Sequence, residues 1–213
     1  MKRFSFISET DARVLEPGST VELEAGGHVT PLARDTLRDR RVTVVYLDGR
    51  DVATAGSLVP VARIRTVAAG ADHGGLALKQ ALVAHLRARG VAVIDLGTHT
   101  PAPVDYPDVA AAVARAVASK EADAGLVVDG AGIGSAIAAN KVPGVRAAMC
   151  TTPTIARYSR EHNGANVITL GASLVSLDEA TAILEAWLAT PMTEPRYIKR
   201  LAKIAAIESQ GQR

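Results

Sequence analysis

From Thr66 onward the chain alternates short apolar runs with amphipathic stretches five times, and this restricts its fold more than any single motif. Residues 66–71, 91–96, 124–128, 145–150 and 166–170 read as strands, short and bounded by polar or glycine-containing turns. Between them, residues 74–89 place Leu78, Ala81, Leu82 and Leu86 on one helical face, with Lys79, Gln80 and Arg87 off it. Residues 107–119 do the same with Val109, Val113, Ala116 and Val117 inward. Residues 135–140 open a third helix and 152–162 form a fourth. Ser176 and Glu179 stand at capping-box spacing ahead of a fifth helix, with Ile183, Leu184, Trp187 and Leu188 inward, which Pro191 stops; residues 196–208 form the last. Alternation of this kind predicts an α/β fold: a Rossmann-like, five-stranded parallel sheet in the flavodoxin-like order 2-1-3-4-5, with helices on both faces. In such sheets ligands sit beyond the carboxyl ends of the strands where the order reverses, here between strands one and three.

The polar residues fall at that place. Strand one ends at Asp72-His73 and strand three at Asp129, which opens the stretch DGAGIGSAIAANK. A strand, a glycine-rich turn and a helix N-terminus make an anion cradle, because glycine permits close backbone approach and free N–H groups point at negative charge. Asp129 is the ionisable side chain at its entrance, and a carboxylate beside an anion cradle is electrostatically awkward. The second strand is followed by Gly97-Thr98-His99 and by Val104-Asp105-Tyr106-Pro107. The fourth helix carries Arg157, Arg160, His162 and Asn163, and Arg196, Lys199 and Arg200 share one face near the C-terminus. Each has a plain structural alternative: a helix start capped by Asp72, a polar loop, a solvated helix end and a solvated basic face.

Other chemistries fit poorly. The glycine spacing is G-x-G-x-G, Ser135 stands in the third place of the dinucleotide fingerprint, and the next strand ends without an acid for a ribose hydroxyl. The histidines have no H-x-x-x-H spacing and Cys150, the single cysteine, reads as a small buried hydrophobe, so no metal or other cofactor is expected. A formal charge of +2 and 3% aromatic residues argue against nucleic acid. No apolar run approaches the roughly 18 residues of a membrane span, and residues 1–10 hold no signal-peptide core, so a cytoplasmic protein without a membrane partner is expected.

Residues 1–62 lack this regular alternation and read as a small β-rich module, with 66–208 the main domain. Residues 20–24 alternate as a strand, Gly26-Gly27 turns the chain, and Thr30-Pro31 caps a helix over 32–40. A strand over 42–47, a turn at Asp48-Gly49 and a linker over 51–62 complete it.

From residue 66 to about 208 the chain resembles the type B ribose-5-phosphate isomerases and their galactose-6-phosphate isomerase relatives. The matching blocks, in order, are GADHGG (70–75), DLGT (95–98), VDYPD (104–108), EADAG (121–125), GAGIGSAIAANKVPGVRAAMC (130–150) and REHNGANVITLGA (160–172). The resemblance implies metal-independent aldose–ketose isomerisation of a sugar phosphate through a cis-enediolate, by a homodimer or homotetramer with each site shared between subunits. It implies that Asp72 and His73 contact the sugar near its ring oxygen and hydroxyls and that Tyr106 lines the pocket. His162, from a partner subunit, would help to open the ring, with Asn163 beside it. Arg196 and Arg200 would hold the phosphate, and Gly130, Ala131, Gly132 and Gly134 would offer N–H groups to the enediolate.

The chief departure is Asp129, which stands where many members carry a cysteine as the base. A carboxylate can do the same work, although a free aspartate, with a pKa of about 3.9, is a weak base. Bound sugar would desolvate it and raise that value while the nearby N–H groups pull it down, and desolvation is expected to win on closure. Ala131, Gly164, Ser173, Glu194-Pro195 and Tyr197 also depart from the family pattern, which bears on the sugar more than on the reaction. Residues 28–48 resemble the N-terminal segment of ethanolamine-utilisation cobalamin adenosyltransferases, and similar segments occur on proteins of bacterial microcompartment loci. This implies an assembly or encapsulation module, a shell or cargo partner and a location inside a microcompartment; a dimerisation arm is the plain alternative. The expected activity is isomerisation of ribose 5-phosphate to ribulose 5-phosphate with Asp129 as base. The alternatives are a tetrose or hexose phosphate substrate, or a non-catalytic sugar-phosphate-binding scaffold subunit.

Overall fold

A computed structural model describes residues 2–46, 58–192 and 195–210. The chain divides into two compact units, Met1–Val59 with Thr193–Arg213, and Pro60–Met192.

The first unit runs β1 (Lys2–Ile7), α1 (Glu9–Val14), β2 (Thr20–Val29), α2 (Pro31–Asp39) and β3 (Thr43–Tyr46), and the three strands pair in parallel in the order β1-β2-β3. It is therefore a βαβαβ unit with two helices, where the sequence suggested one. The overlooked signal is Ser8-x-x-Asp11: the Ser8 hydroxyl accepts from the Asp11 amide at 3.2 Å, and the Asp11 carboxylate accepts from the Ser8 amide at 2.8 Å. Gly26-Gly27 does not turn the chain. β2 continues through it with a bulge, its register against β1 jumping from Phe4–Leu23 to Phe6–His28. The cap read at Thr30 is present, its hydroxyl accepting from the Ala33 amide at 3.1 Å. Ile7, Leu23, Val29, Ala33 and Leu37 form this unit's core. The turn at Asp48-Gly49 and residues 51–57 of the linker lie outside the described residues.

The second unit runs β4 (Thr66–Ala71), α3 (Leu76–Ala88), β5 (Ala92–Asp95), α4 (Tyr106–Ala118), β6 (Ala124–Asp129), α5 (Ile133–Ala139), β7 (Ala147–Met149), α6 (Pro153–Glu161), β8 (Val167–Gly171) and α7 (Leu177–Ala189). The last helix, α8 (Pro195–Gln210), belongs to the first unit. All five strands are parallel, and side chains alternate between two cores as the strand period requires. Val67, Ala69, Leu126, Val128, Ile168 and Leu170 face α3, α6 and α7 through Leu82, Leu86, Ala156, Ile183 and Trp187. Ala68, Val127 and Val167 face α4 and α5 through Val113, Val117 and Ala139. Helices thus cover both faces of the sheet.

The strand order is β5-β4-β6-β8-β7, or 2-1-3-5-4. The first three strands stand as expected and the last two are exchanged. β8 is fully buried and rich in branched side chains, which suits an interior strand, whereas β7 has three half-buried residues, which suits an edge. The crevice between β4 and β6 is unaffected by the exchange. No helix among the described residues is long and apolar enough to cross a membrane.

Arg160 is not on a solvated helix end. It is 1% exposed and donates to the carbonyls of Ala165 (2.9 Å), Val61 (3.0 Å) and Thr190 (3.3 Å), with its guanidinium 4.8 Å from the Trp187 ring centroid. Burial, reinforced by the charge of Arg146, pulls its pKa down to about 10. Cys150 is buried as expected, and burial pushes its thiol up to about 11, which leaves it an inert core residue.

Candidate functional site

Three loops meet beyond the carboxyl ends of β4, β5 and β6. The Asp72 amide donates to the Val128 carbonyl at 3.2 Å, and the Asp72 carboxylate accepts from the Gly75 amide at 2.8 Å, closing the turn ahead of α3. A side chain at Gly75 would overlap the Val128 carbonyl, so glycine allows this turn to lie against the end of β6. The loop after β5 is tied to β4 by hydrogen bonds from the Ala71 amide to the Gly97 carbonyl and from the Thr98 amide to the Ala71 carbonyl, both 2.7 Å. Lys79, which helical periodicity placed outward, is fully buried; its ammonium bonds Asp95 at 2.6 Å and the Thr98 carbonyl at 3.0 Å. Burial pushes the Asp95 carboxyl up, but the Lys79 ammonium and the Gly97 amide outweigh it and hold the group below its ordinary value. Further along, the Val104 amide donates to His73 Nδ1 at 3.4 Å.

Tyr106 lies over the glycine loop. A Cβ on Gly134 would sit 2.5 Å from the Tyr106 ring, so the bare backbone at Gly134 is the seat of that ring. Gly134→Ala is expected to push the ring aside and raise KM by up to about tenfold, the scale of one lost aromatic contact, with a smaller change in kcat. Steady-state kinetics beside a thermal melt would separate this from loss of the fold.

Asp129, the last residue of β6, is 4% exposed. Its Oδ1 accepts from the Ala131 amide at 2.8 Å and from the Gly132 amide. Its Oδ2 accepts from the Ser135 amide at 3.0 Å and from the Ser135 hydroxyl. Gly132 has φ +77°, the left-handed conformation that folds the loop back around the carboxylate. Burial pushes the carboxyl up, yet the Ser135 hydroxyl and the amides of Gly132, Ser135 and Ala131 together outweigh it and hold the group below its ordinary value. The awkwardness of an acid beside an anion cradle is thereby resolved: the cradle holds the protein's own carboxylate. In this arrangement the donors prevail over desolvation, the reverse of the balance expected on closure around a sugar.

The same donors make stability depend on pH. A carboxyl whose folded-state pKa is depressed stabilises the fold above its unfolded value, near 3.9, and that contribution is lost as pH falls through the folded value. The wild-type protein is therefore expected to lose stability on acidification below about pH 4 more steeply than Asp129→Asn, which has no titration there. Urea midpoints between pH 2 and 6 would show the two curves converging.

Within one chain the structure brings together Asp72, His73, Tyr106, Asp129, Gly130, Ala131, Gly132 and Gly134. His162 and Asn163 stand elsewhere. They follow α6, which runs antiparallel to the strands, so they lie at the amino ends of the strands, on the opposite edge of the sheet from Asp129. β8 alone, five residues long, separates the two edges, at about 3.3 Å per residue. The His162 ring stacks on Tyr158 at 4.6 Å, and the Asn163 amide group donates to the Tyr158 carbonyl at 3.1 Å. Arg196 and Arg200 are on α8, in the first compact unit, where the Arg200 guanidinium lies 5.4 Å from the Tyr197 ring centroid. Sequence reasoning does not single out Ser135, Lys79 or Asp95. The first reads there as a helix-start residue, Lys79 as lying off the apolar helix face and Asp95 as part of the second strand and the DLGT block, because their contacts depend on how the loops fold back.

A parallel α/β sheet with acid–base side chains gathered around a loop of backbone amides at its switch point has the make-up of a proton-transfer enzyme. Residues 67–204 match the Ribose/Galactose Isomerase family, and the chain belongs to that family of aldose–ketose isomerases. It is 44% identical over 147 residues to ribose-5-phosphate isomerase B of Escherichia coli, covering 69% of this chain and 99% of that one. Among solved structures, ribose-5-phosphate isomerase B of Clostridium thermocellum superposes with a TM-score of 0.67 at 48% identity, covering 68% of this chain and 98% of the other. The Mycoplasma genitalium enzyme with bound ribulose 5-phosphate superposes at 0.66 with 35% identity, covering 68% and 97%.

Proposed function

We propose that this chain interconverts a phosphorylated aldose and its ketose, with ribose 5-phosphate and ribulose 5-phosphate as the first pair, and that Asp129 is the base. The observation that carries the reading is the convergence of Asp72, His73 and Tyr106 on the Asp129 loop, within a segment that spans nearly the whole length of these relatives. Asp72 and His73 bind the sugar near its ring oxygen and hydroxyls, and Tyr106 closes the pocket over Gly134. Asp129 takes the C2 proton. The C–H bonding pair becomes the C1=C2 double bond, and the carbonyl π pair moves onto O1, giving an enediolate whose charge faces the backbone at Gly130 and Gly134, because the Ala131 and Gly132 amides, expected to serve it, are taken by the Asp129 carboxylate. The proton is returned to C1, the O2–H bonding pair forms the new carbonyl, and that proton passes to O1. Nothing is consumed and the product is an isomer.

The position of His162 supports a site shared between subunits. A side chain at the amino edge of the sheet cannot reach the carboxyl edge of its own sheet, so His162 and Asn163 would serve the site of a partner in a homodimer or homotetramer and assist ring opening there. Arg196 and Arg200 would hold the phosphate. The first 59 residues, outside the matched segment, would act in assembly, as an encapsulation module for a bacterial microcompartment with a shell or cargo protein as partner. Departures from the family pattern at Ala131 and Ser173 keep tetrose and hexose phosphates as alternative substrates, and the fully engaged Asp129 carboxylate favours one contrary reading, a non-catalytic sugar-phosphate-binding subunit.

The test is incubation of the purified chain with ribose 5-phosphate and then with four- to six-carbon aldose phosphates, following ketose formation. Turnover of any of them supports the isomerase and names the sugar; binding without turnover across the panel supports the contrary reading. Mixing Asp129→Asn with His162→Ala chains is expected to regain part of the activity that each variant lacks if sites are shared. No recovery in proven mixed oligomers would contradict sharing.

A further inference from the structure

We infer that Ser135 is the positioning residue of Asp129: its hydroxyl holds the carboxylate against the glycine loop, and it is the donor that turns away when Asp129 takes the substrate proton. The inference rests on the reading of Asp129 as the base, and it comes from counting lone pairs.

An ionised carboxylate offers about four acceptor positions. In Asp129 two donors address each oxygen: the Ala131 and Gly132 amides on Oδ1, the Ser135 amide and hydroxyl on Oδ2. A carboxylate so saturated has no position left for a proton leaving carbon, so at least one donor must withdraw before proton transfer. Three of the four are backbone N–H groups. They are fixed by the turn from β6 into α5, which is pinned from β8 by the Thr169 hydroxyl donating to the Gly132 carbonyl at 2.6 Å. The Ser135 hydroxyl alone can leave by rotation about χ1. Ser135 is fully buried, so it turns to a neighbour rather than to bulk water. A helical serine can donate to a carbonyl three or four residues back; the Gly132 carbonyl already accepts from the Thr169 hydroxyl and the Ala136 amide, which leaves that of Ala131. With the hydroxyl on Oδ2 the carboxylate is held ionised and in place. With it turned away, Oδ2 has an open lone pair and a higher proton affinity, which is what the carbon-acid step requires.

Ser135→Ala removes the movable donor and leaves the three amides. Two readouts, one without substrate, test the inference. The acid limb of kcat/KM is expected to shift upward by about one pH unit, the scale of one hydrogen bond to a charged group, with the high-pH plateau retained within about threefold or raised. The 13C titration of the Asp129 carboxyl in the free protein is expected to move the same way. Ser135→Thr, which restores the hydroxyl, is expected to return both toward wild type, and Ser135→Gly repeats the deletion with less bulk. A limb and a titration that stay at the wild-type position would overturn the inference. So would a plateau that falls to the level of Asp129→Asn, because a donor that must withdraw cannot be needed for the step itself. A moved titration without turnover of any sugar phosphate would defeat the isomerase reading and leave the Ser135 contact standing; turnover with an unmoved titration would defeat the Ser135 contact alone.

Discussion

Asp129→Asn is expected to lower kcat for the aldose phosphate by about a hundred- to ten-thousand-fold, the range in which a positioned general base contributes. Substrate binding should change little, because Asp72, His73 and Tyr106, assigned to the sugar, follow β4 and β5, and Arg196 and Arg200, assigned to the phosphate, lie on α8. The variant should remain folded. One oxygen of the new side chain can still accept from the Ala131 and Gly132 amides, and the Ser135 hydroxyl can reverse to accept from the new amide group. The Ser135 backbone N–H then loses its partner, a loss of about 1–3 kcal/mol for a buried group. An inactive, folded, sugar-binding Asp129→Asn is thus the pattern for a base, whereas near-normal turnover would show the carboxylate to be only a loop anchor.

The second large effect is on stability. Arg160→Met is expected to destabilise the second unit by about 2–3 kcal/mol, despite removing a buried cation whose burial is itself unfavourable. The guanidinium satisfies carbonyls at Val61, Ala165 and Thr190, and it packs on Trp187. A thioether satisfies none of them, and each orphaned buried carbonyl weighs about 1 kcal/mol or more. At about 2–4 °C per kcal/mol for a chain of this size, the melting temperature should fall by roughly 5–10 °C. Arg160→Lys should recover little, because one ammonium cannot fork to three carbonyls. Calorimetry of the three proteins measures this directly, and an unchanged Tm in Arg160→Met would mean that relief of desolvation balances the lost hydrogen bonds.

Features legible from sequence are those with local causes. The strands and helices of the second unit announce themselves through period-2 and period-3.6 patterns, and the caps at Thr30 and Ser176 through spacing alone. The crevice beside Asp129 was legible because β4 and β6 are neighbours in this connectivity. The exchange of β7 and β8 depends on which strand buries both faces, which a short apolar run does not disclose. Lys79 was misplaced because helical periodicity counts apolar residues and cannot see Asp95, sixteen positions away, drawing an ammonium inward. Likewise the identity of Asp129 was plain, but its four donors come from a turn built on a left-handed Gly132, and spacing gives no hint of which amides point at which oxygen. The separation of His162 from Asp129 follows from topology alone once α6 is known to run against the strands.

The most direct test of the central claim, that Asp129 moves a proton on a sugar phosphate, is proton NMR of ribose 5-phosphate in deuterated water with wild-type protein and Asp129→Asn side by side. Ketose formation with deuterium entering the sugar is expected in the wild type, and neither in the variant. Equal turnover and exchange in both proteins would contradict the claim and assign the proton transfer to another group.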